Sequence, residues 1–411
     1  MNKIKFNAIS DYIIKWCLYA IVFAVPFSKS ISEFSIALAI ALWFIRKILN
    51  SDIRLVKTDL NVPVLIFIMT ILPSFLNTGY MGLSLKAFFT KHLKYIALYF
   101  VMVESLDNRE KIRDLLVVAL LSVIVITLDG FGQYYYSGVD ALHNYPSFKE
   151  RLYPLPDSTE GFFRGFPTAS FPFPNDLSAW ILLFIFPIAS VAIFDIARKR
   201  TRYLMAFVSA GVFYLFFLAK TRGAWVGLII STVYVAVSKK KAWLIILLIA
   251  AIAMPFILKM EMSQYIFGMK SVDDRFFMWD TGLKIFKDHP VLGNGINTFF
   301  TRFKEERNDQ WKGEKGSYAH NCYLQMASDT GLIGLAGFLW LVFSYFKSAL
   351  KDSRRIKDAF FAGILWSVSV GVFAFLVHSF FDTNLYSLNL VTLFWFAIGL
   401  SQAISRVYLK G

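Results

Sequence analysis

The sequence predicts an all-α integral membrane protein with about 12 transmembrane helices and one long hydrophilic segment between the ninth and the tenth. Three observations lead to this class. The chain of 411 residues is 57% hydrophobic and only 17% charged, whereas soluble domains carry about 25% charged residues. Apolar runs of about 20 residues, enough to cross a hydrocarbon core about 30 Å thick, recur along the chain. Most of the turns between these runs are short.

These apolar runs are expected to be helices, because only helices and closed barrels satisfy all their backbone hydrogen bonds in lipid. The pattern places the 12 spans near 12–28, 31–48, 61–77, 87–105, 112–136, 176–196, 203–219, 223–238, 242–259, 322–346, 358–381 and 386–405. An even number of spans puts both termini on the same side of the membrane. We therefore predict a single integral membrane domain over 1–411.

The placement of basic residues predicts the orientation. The net charge is +15, which by itself could indicate nucleic-acid binding. However, the turns on the N-terminal side of the membrane hold 23 lysine and arginine residues, and the opposite turns, apart from the long segment, hold seven. The positive-inside rule then predicts that both termini are cytoplasmic, and no nucleic-acid partner is expected. The two cysteines, Cys17 and Cys322, are far apart, which argues against a disulfide framework or a zinc site.

Two hydrophilic segments should face outward: a first outer loop at 137–175 and a long loop at 260–321. The long loop contains nine Lys or Arg and nine Asp or Glu residues, so its net charge is near zero. Loops of this length in a compact protein are usually functional or disordered, and this one is too apolar for disorder. We expect a packed catalytic loop at the outer membrane surface.

Three outward residues are candidates for chemistry. His320 lies at the end of the long loop, and histidine is a common general base toward a hydroxyl; it could also simply anchor the headgroup region. Arg222 follows Lys220-Thr221 in a short turn, and its guanidinium could grip phosphate oxygens or be an ordinary interfacial arginine. Arg275 follows Asp273-Asp274. Two adjacent carboxylates make a poor metal site, so we expect them to tether the arginine.

A second group could support this chemistry. Lys91 and Lys94 are three residues apart, so both would face one side of a helix and either attract a lipid phosphate or extend toward the interface. His378 and Asp382 are four apart at the outer end of the eleventh span, so they should share a face, where the acid would orient the imidazole or form a structural pair.

In the first outer loop, Phe163-Arg164-Gly165 precedes Phe171-Pro172-Phe173-Pro174-Asn175-Asp176. The three prolines of this stretch, at 167, 172 and 174, should stiffen it. Asn175 or Asp176 is a plausible N-cap for the next span.

Taken together, these stretches resemble the O-antigen ligase family, which also includes O-antigen polymerases and protein O-oligosaccharyltransferases. The resemblance rests on their order. The segments that carry it are Lys220-Thr221-Arg222-Gly223-Ala224, Arg275 with Trp279, Gly282-Leu283, Pro290-Val291-Leu292-Gly293-Asn294-Gly295, His320-Asn321, Thr330-Gly331-Leu332-Ile333-Gly334 and the Arg164 to Leu177 region. The arrangement of spans with a late outer loop also fits.

The resemblance implies an inverting glycosyltransferase of the cell inner membrane, with its active site on the periplasmic face. The donor would be a glycan on undecaprenyl diphosphate and the acceptor a sugar hydroxyl of lipid A–core. His320 would be the catalytic base, and Arg222 and Arg275 would hold the diphosphate. Arg164, Lys91, Lys94, Asn321, His378 and Asp382 would support them. No metal and no cofactor are expected, because fixed guanidinium groups can stabilise the leaving group.

Other readings stay open. The acceptor could be a second lipid-linked repeat, as in a polymerase, or a serine or threonine, as in the protein-glycosylating branch. A transporter of lipid-linked glycans is an alternative from another class. Transporters place their polar groups near the bilayer midplane, whereas here the polar groups collect outside the spans, which favours surface chemistry.

Overall fold

The protein is seen in a computed structural model that describes residues 3–143, 166–246, 249, 270–306 and 317–409, and for 270–273 only the backbone. Across these ranges the chain is helical and contains no β-strand. The helices are α1 (Lys3–Ala24), α2 (Lys29–Leu49), α3 (Asn61–Ile71), α4 (Met81–Ala87), α5 (Lys94–Ser105), α6 (Arg109–Gly132), α7 (Pro174–Ile193), α8 (Lys199–Ala219), α9 (Arg222–Ser238), α10 (Lys270–Asp288), α11 (Phe299–Glu306), α12 (Cys322–Arg355), α13 (Ala359–His378) and α14 (Leu388–Leu409).

The apolar helices confirm the predicted class. In the described part of the chain, seven helices are long and apolar enough to cross a membrane, and two shorter apolar segments, Asn61–Leu76 and Arg222–Ser238, accompany them. The protein is therefore an all-α polytopic membrane protein. The predicted ninth span at 242–259 falls largely outside the described residues, so the total of 12 stays a prediction.

Several predicted spans differ from the helices observed, and two of these differences have a clear physical reason. The span predicted at 322–346 belongs to a helix that continues to Arg355. The residues after 346 are amphipathic rather than apolar, so a prediction from apolar length alone stops before the helix ends. The span predicted at 87–105 is composite: α4 leads into a π-helical stretch, Phe88–Leu93, before α5 begins. A π-helical turn changes the side-chain spacing, and an apolar count alone does not register it.

The centre of the bundle is formed by α13 and α14, whose side chains are largely buried. Around them α7 packs against α8 and α13, α9 packs against α13, and α5 packs against α14. Small residues allow the closest contact, as is common between membrane helices. A Cβ atom on Gly227 of α9 would lie 2.5 Å from the carbonyl oxygen of Ala374 in α13. Backbone contact at this point fixes the position of α9 on α13.

The long outer loop is partly helical. Its helices α10 and α11 meet in a small apolar core with the residues just before α12. That core consists of Met278, Ile285, Phe299, Phe303 and Ala319. Because Ala319 belongs to it, the loop packs against the chain immediately before His320.

Candidate active site

His320 stands at the entrance of the long helix α12. Its backbone is left-handed, with φ of 45°, and the next residue, Asn321, caps the helix. The Asn321 side-chain oxygen accepts hydrogen bonds from the backbone N–H groups of Tyr323 and Leu324, both at 3.0 Å. Such a cap satisfies donors that the first turn leaves unpaired. The predicted supporting residue Asn321 therefore fixes where the chain turns at His320.

Asp382 is the residue to which His320 is bound. The Nδ1 atom of His320 lies 3.0 Å from Oδ1 of Asp382. Asp382 also accepts a hydrogen bond from the backbone N–H of Thr383 at 2.8 Å and one, on Oδ2, from the side-chain amide of Asn175. The Asp382 side chain is 10% exposed, whereas that of His320 is 35% exposed. A buried, orienting carboxylate thus supports a more accessible imidazole.

The electrostatics keep Asp382 ionised. Burial by itself would raise the pKa of this carboxyl. The hydrogen bond and charge of His320, the charge of His378 and the Thr383 N–H outweigh burial and hold the pKa of Asp382 well below its usual range. An ionised Asp382 can only accept hydrogen bonds, so Nδ1 of His320 carries the proton that is donated to it. In neutral His320, the lone pair then resides on Nε2.

His378 does not pair with Asp382 as the four-residue spacing predicts. Helix α13 ends at His378, so Asp382 lies beyond it in a turn, where helical spacing no longer applies. His378 is buried, and its Nδ1 lies 3.2 Å from the side-chain amide nitrogen of Asn384. Asp382 instead reaches His320, and it remains near enough for its charge to act on His378.

The predicted N-cap role of Asn175 or Asp176 is wrong. Helix α7 starts at Pro174, its N-cap residue is Phe173, and no side chain caps it. Proline at the first position needs no hydrogen bond to its nitrogen, which frees Asn175 to donate to Asp382. Asp176 is half-buried and lies near enough for the charges of Asp382 and His320 to act on it.

Arg222 is the first residue of α9 rather than part of an open turn. The preceding Lys220 is left-handed, with φ of 52°, and Thr221 accepts a hydrogen bond of 2.9 Å from the hydroxyl of Ser178. The following Gly223 is needed for space: a Cβ atom there would lie 2.7 Å from Cβ of Phe381 and 3.1 Å from Cδ2 of His378. The glycine therefore brings Arg222 next to the end of α13 and the turn that contains Asp382.

Arg275 joins Arg222 from the long loop. Its charge acts on Arg222 and on His378, so two arginines from distant sequence segments lie close enough for their charges to interact. One turn further along α10, the Trp279 ring packs edge-on against Phe380, with centroids 5.8 Å apart. The predicted tether from Asp273-Asp274 stays a prediction, since the Asp273 side chain lies outside the described part.

The remaining predicted residues fall elsewhere. The ammonium group of Lys91 donates to the side-chain oxygen of Asn297 at 2.7 Å, and that of Lys94 donates to Glu33 at 2.6 Å. Lys91 therefore ties the π-helical stretch to the long loop, and Lys94 ties α5 to α2. The position of Arg164 lies outside the described residues.

Sequence reasoning missed Asp329 in α12. This buried carboxylate accepts hydrogen bonds from the backbone N–H groups of Asn297 at 3.1 Å and Phe299 at 3.0 Å. Tyr386 also hydrogen-bonds to it, and the pKa of Tyr386 is raised by burial and then by the Asp329 charge. An acidic residue inside an apolar span was the available signal, because such residues are costly in membranes and seldom lack a role.

The motif segments 290–295 and 330–334 form a clamp that positions the loop. Gly331 interrupts α12 with φ of 67° and ψ of −176°. At this break the N–H of Leu332 donates to the carbonyl of Pro290 at 2.9 Å, and the N–H of Gly295 donates to that of Asp329 at 2.9 Å. A Cβ atom on Gly331 would lie 2.1 Å from the carbonyl oxygen of Val291. These glycines thus serve backbone contact rather than catalysis.

The first outer loop is anchored as it returns to α7. Gln133, at the end of α6, is buried, and its side-chain oxygen accepts hydrogen bonds from the N–H groups of Thr168 at 2.7 Å and Ala169 at 2.9 Å. Ser170 donates to Asp129 at 3.0 Å. These bonds hold the segment that leads directly to Asn175.

The assembled groups are one imidazole with its carboxylate and two arginines at one end of the helix bundle. The described residues contain no group of three or more His, Cys, Asp or Glu side chains placed to hold a metal ion. The imidazole can act as a base that deprotonates a hydroxyl, and the two arginines can bind an anionic leaving group.

Part of this chain is similar to known proteins. A family model described as O-antigen ligase matches residues 176–339, which include both arginines and His320. A protein of Rickettsia bellii (strain RML369-C), which carries the provisional name polysaccharide ligase, is 34% identical over 90 residues. That match covers 21% of this chain and 22% of the relative.

Proposed function

We propose that this chain, a member of the O-antigen ligase family, is a membrane glycosyltransferase that moves a glycan from undecaprenyl diphosphate to a sugar hydroxyl of lipid A–core. The match over residues 176–339 supports an activity of the ligase type. The observation that carries the proposal furthest is the bond between His320 and Asp382, supported by Arg222 and Arg275.

His320 is the catalytic base in this proposal. Its Nδ1–H is donated to Asp382 over 3.0 Å, so Nε2 is the atom that can take a proton. When the acceptor hydroxyl attacks the anomeric carbon of the donor, its proton passes to Nε2. The resulting imidazolium is stabilised by the adjacent carboxylate, an arrangement that recurs in unrelated hydrolases. Buried Asp382 holds the imidazole in place for this transfer.

Arg222 and Arg275 hold the diphosphate. The positive charges of Arg222 and Arg275 repel each other, and an anion between them relieves this repulsion. As the new glycosidic bond forms, the bond from the anomeric carbon to the diphosphate oxygen breaks, and the leaving diphosphate gains negative charge. Preorganised arginines stabilise that charge at the moment it develops. Attack opposite to the leaving group inverts the anomeric carbon.

We also propose that the active site lies on the periplasmic face and that the reaction needs no metal ion. With both termini in the cytoplasm, the loop containing His320 lies on the periplasmic face of the inner membrane, where lipid-linked glycans can be used without ATP. Reporter fusions after Lys240 should read cytoplasmic and fusions near Asp288 periplasmic.

Activity of the purified enzyme should survive EDTA, and rescue by magnesium after loss in EDTA would contradict metal independence.

The proposal is tested by separating binding from turnover. We expect His320→Ala to lower turnover about 10²–10⁴-fold, as for loss of a general base, while binding of undecaprenyl diphosphate stays nearly intact. Arg222→Ala and Arg275→Ala should weaken that binding, and Arg222→Lys should restore it only partly because an ammonium lacks the bidentate fork. If His320→Ala loses binding as fully as Arg222→Ala, the histidine is a donor ligand and not the base.

Arg302→Ala is a matched control in the same loop. Arg302 forms ion pairs with Asp288, Glu305 and Glu306, so its charge is already neutralised. The variant changes the net charge as Arg275→Ala does, but it should retain diphosphate binding.

The acceptor is tested in cells that lack the gene. Loss of all polymer on lipid A–core identifies the ligase branch. A single repeat on core identifies a polymerase, and unchanged lipopolysaccharide with loss of glycosylated protein identifies the protein-glycosylating branch. Loss of the glycan products together with donor that accumulates on the cytoplasmic side would instead identify a transporter, whereas loss of a transferase leaves the donor on the periplasmic side.

A further inference from the structure

A buried carboxylate near the start of α12 caps a helix of the long loop. Asp329 is 2% exposed, and its two oxygens accept hydrogen bonds from the backbone N–H groups of Asn297 at 3.1 Å and Phe299 at 3.0 Å. Its carbonyl also accepts from the N–H of Gly295 at 2.9 Å. Phe299 is the first residue of α11, and the first turn of a helix leaves its N–H groups unpaired. A side chain of α12 therefore fixes the start of α11.

The position of α11 determines that of the helix that carries Arg275. Phe299 and Phe303 of α11 share an apolar core with Met278 and Ile285 of α10. Met278 is three residues after Arg275 in the same helix, and α10 also packs against α12. Fixing α11 at Asp329 therefore holds Arg275 in place on α12.

The same carboxylate contacts the turn that carries Asp382. Tyr386 hydrogen-bonds to Asp329, and it is the last residue of the short 3₁₀ helix Asn384–Tyr386, which packs against α12. This short helix starts two residues after Asp382. On the other side of the turn, the thiol of Cys322 in α12 donates to the carbonyl of Asp382 at 3.1 Å. Helix α12 thus holds both ends of the segment that presents Asp382.

A simpler explanation is that any acid buried in a membrane helix needs partners, because an unpaired one is costly. Asp352 in the same helix shows what that requirement alone looks like. It is 5% exposed, and its partners are its neighbours Ser348 at 3.4 Å and Lys351 at 3.8 Å. The partners of Asp329 instead come from two distant segments, and each segment carries a residue of the proposed transfer site.

We propose that Asp329 is a positioning residue that couples the two halves of the transfer site. It fixes the loop that carries Arg275 and, through Tyr386, the turn that carries Asp382. This inference rests on the proposed function, which assigns Arg275 to the diphosphate and Asp382 to the base. In Asp329→Asn an NH2 group replaces one oxygen, and it would face donors where the carboxylate accepts from them.

Two variants of the purified full-length protein separate the two contacts. Tyr386→Phe removes one oxygen atom and leaves the loop contacts in place. It should lower kcat about 3- to 10-fold, as for one hydrogen bond, while binding of undecaprenyl diphosphate stays within about twofold of wild type. Asp329→Asn should lower kcat at least about tenfold and also weaken that binding about 3- to 10-fold, because the loop with Arg275 is loosened as well.

Asp352→Asn is the matched control, since it removes a buried acid from the same helix far from the site. It should keep kcat and diphosphate binding within about twofold of wild type, whatever its unfolding temperature. Equal losses of kcat in Asp352→Asn and Asp329→Asn would overturn the proposal. Wild-type kcat in Tyr386→Phe would also overturn it, and this variant decides the question alone where Asp329→Asn does not fold.

Hydrogen exchange of the Asn297 and Phe299 amides measures docking of the loop without any transfer reaction. Exchange at both should be at least about tenfold faster in Asp329→Asn and close to wild type in Tyr386→Phe. Unchanged exchange in Asp329→Asn would refute the role of this carboxylate in docking. If wild type transfers no glycan, the proposed function fails and the coupling to Asp382 fails with it, while the exchange rates still decide whether Asp329 docks the loop.

Discussion

Replacing Asp382 by asparagine should slow glycan transfer by about 10- to 150-fold without preventing folding. The substitution keeps the shape of the side chain and removes its negative charge. The oxygen of the new asparagine can still accept the hydrogen bond from the N–H of Thr383. Its NH2 group, however, would face the side-chain amide of Asn175 or the Nδ1–H of His320, and both of these are donors themselves. The imidazole then loses the partner that fixes which nitrogen carries the proton.

The magnitude follows from one lost interaction. The bond between His320 and Asp382 is 3.0 Å long, and the Asp382 side chain is only 10% exposed, so water screens it weakly. Hydrogen bonds to charged groups contribute about 1.5–3 kcal/mol. Since about 1.4 kcal/mol corresponds to tenfold in rate, their loss in the transition state gives the stated range. The effect should remain below that of losing the base itself.

The assay is transfer of glycan from undecaprenyl diphosphate to lipid A–core by purified variants, measured at saturating donor. Asp382→Asn should lower kcat more than it changes donor binding. In the double variant with His320→Ala, the Asp382 substitution should add almost nothing, because groups that act as a unit are not additive. Asp280→Asn, an exposed residue paired with Lys284, should behave as wild type. Independent, multiplicative losses in the double variant would refute the reasoning.

Three further outcomes follow from the geometry. Gly223→Ala should weaken diphosphate binding, because the added Cβ would lie 2.7 Å from Phe381 and displace the neighbouring Arg222. Gly211→Ala is the control, since its Cβ would lie 3.5 Å from the nearest atom and should leave binding unchanged. Equal binding in both variants would contradict the role of this contact. Gly331→Ala should destabilise the protein in a thermal unfolding assay by at least about 1–3 kcal/mol, the usual cost of a strained backbone, and Gly82→Ala, which meets nothing within 4 Å, serves as its control. Folding lowers the pKa of Asp382, so the ionised carboxylate stabilises the folded protein above the unfolded pKa of about 4, and this stabilisation is lost as the pH falls from there through the folded pKa. The unfolding temperatures of wild type and Asp382→Asn should therefore differ above about pH 4 and approach each other as the pH is lowered further.

The sequence was sufficient to predict the fold class because the membrane imposes it. Apolar length decides which segments cross, and backbone hydrogen bonding makes them helical. His320 and Arg222 could also be singled out, since each stands at the edge of an apolar run where chemistry-bearing residues are scarce. The structure brings Arg222 and Arg275 within range of each other's charge, although nothing in either segment alone indicates this.

Contacts between distant segments could not be predicted from the sequence. Asn175 and Asp382 are 207 residues apart, and a local pattern favours capping for the first and helical pairing for the second. Both expectations failed for the same reason: tertiary partners outcompeted local ones. The end of α13 at His378 is likewise set by packing of the following turn around Cys322, whose thiol donates to the carbonyl of Asp382 at 3.1 Å.

The break at Gly331 has a consequence for how the protein is made. A helix interrupted within a span exposes backbone N–H and C=O groups, which lipid cannot satisfy. Here the groups at the break are satisfied by Pro290, Val291, Asn294 and Gly295 of the preceding loop. Helix α12 and that loop must therefore come together during insertion, and a chain whose loop fails to dock would carry a defective span that the cell's quality control can recognise. Folding of the preceding loop and retention of the helix in the bilayer become a single event.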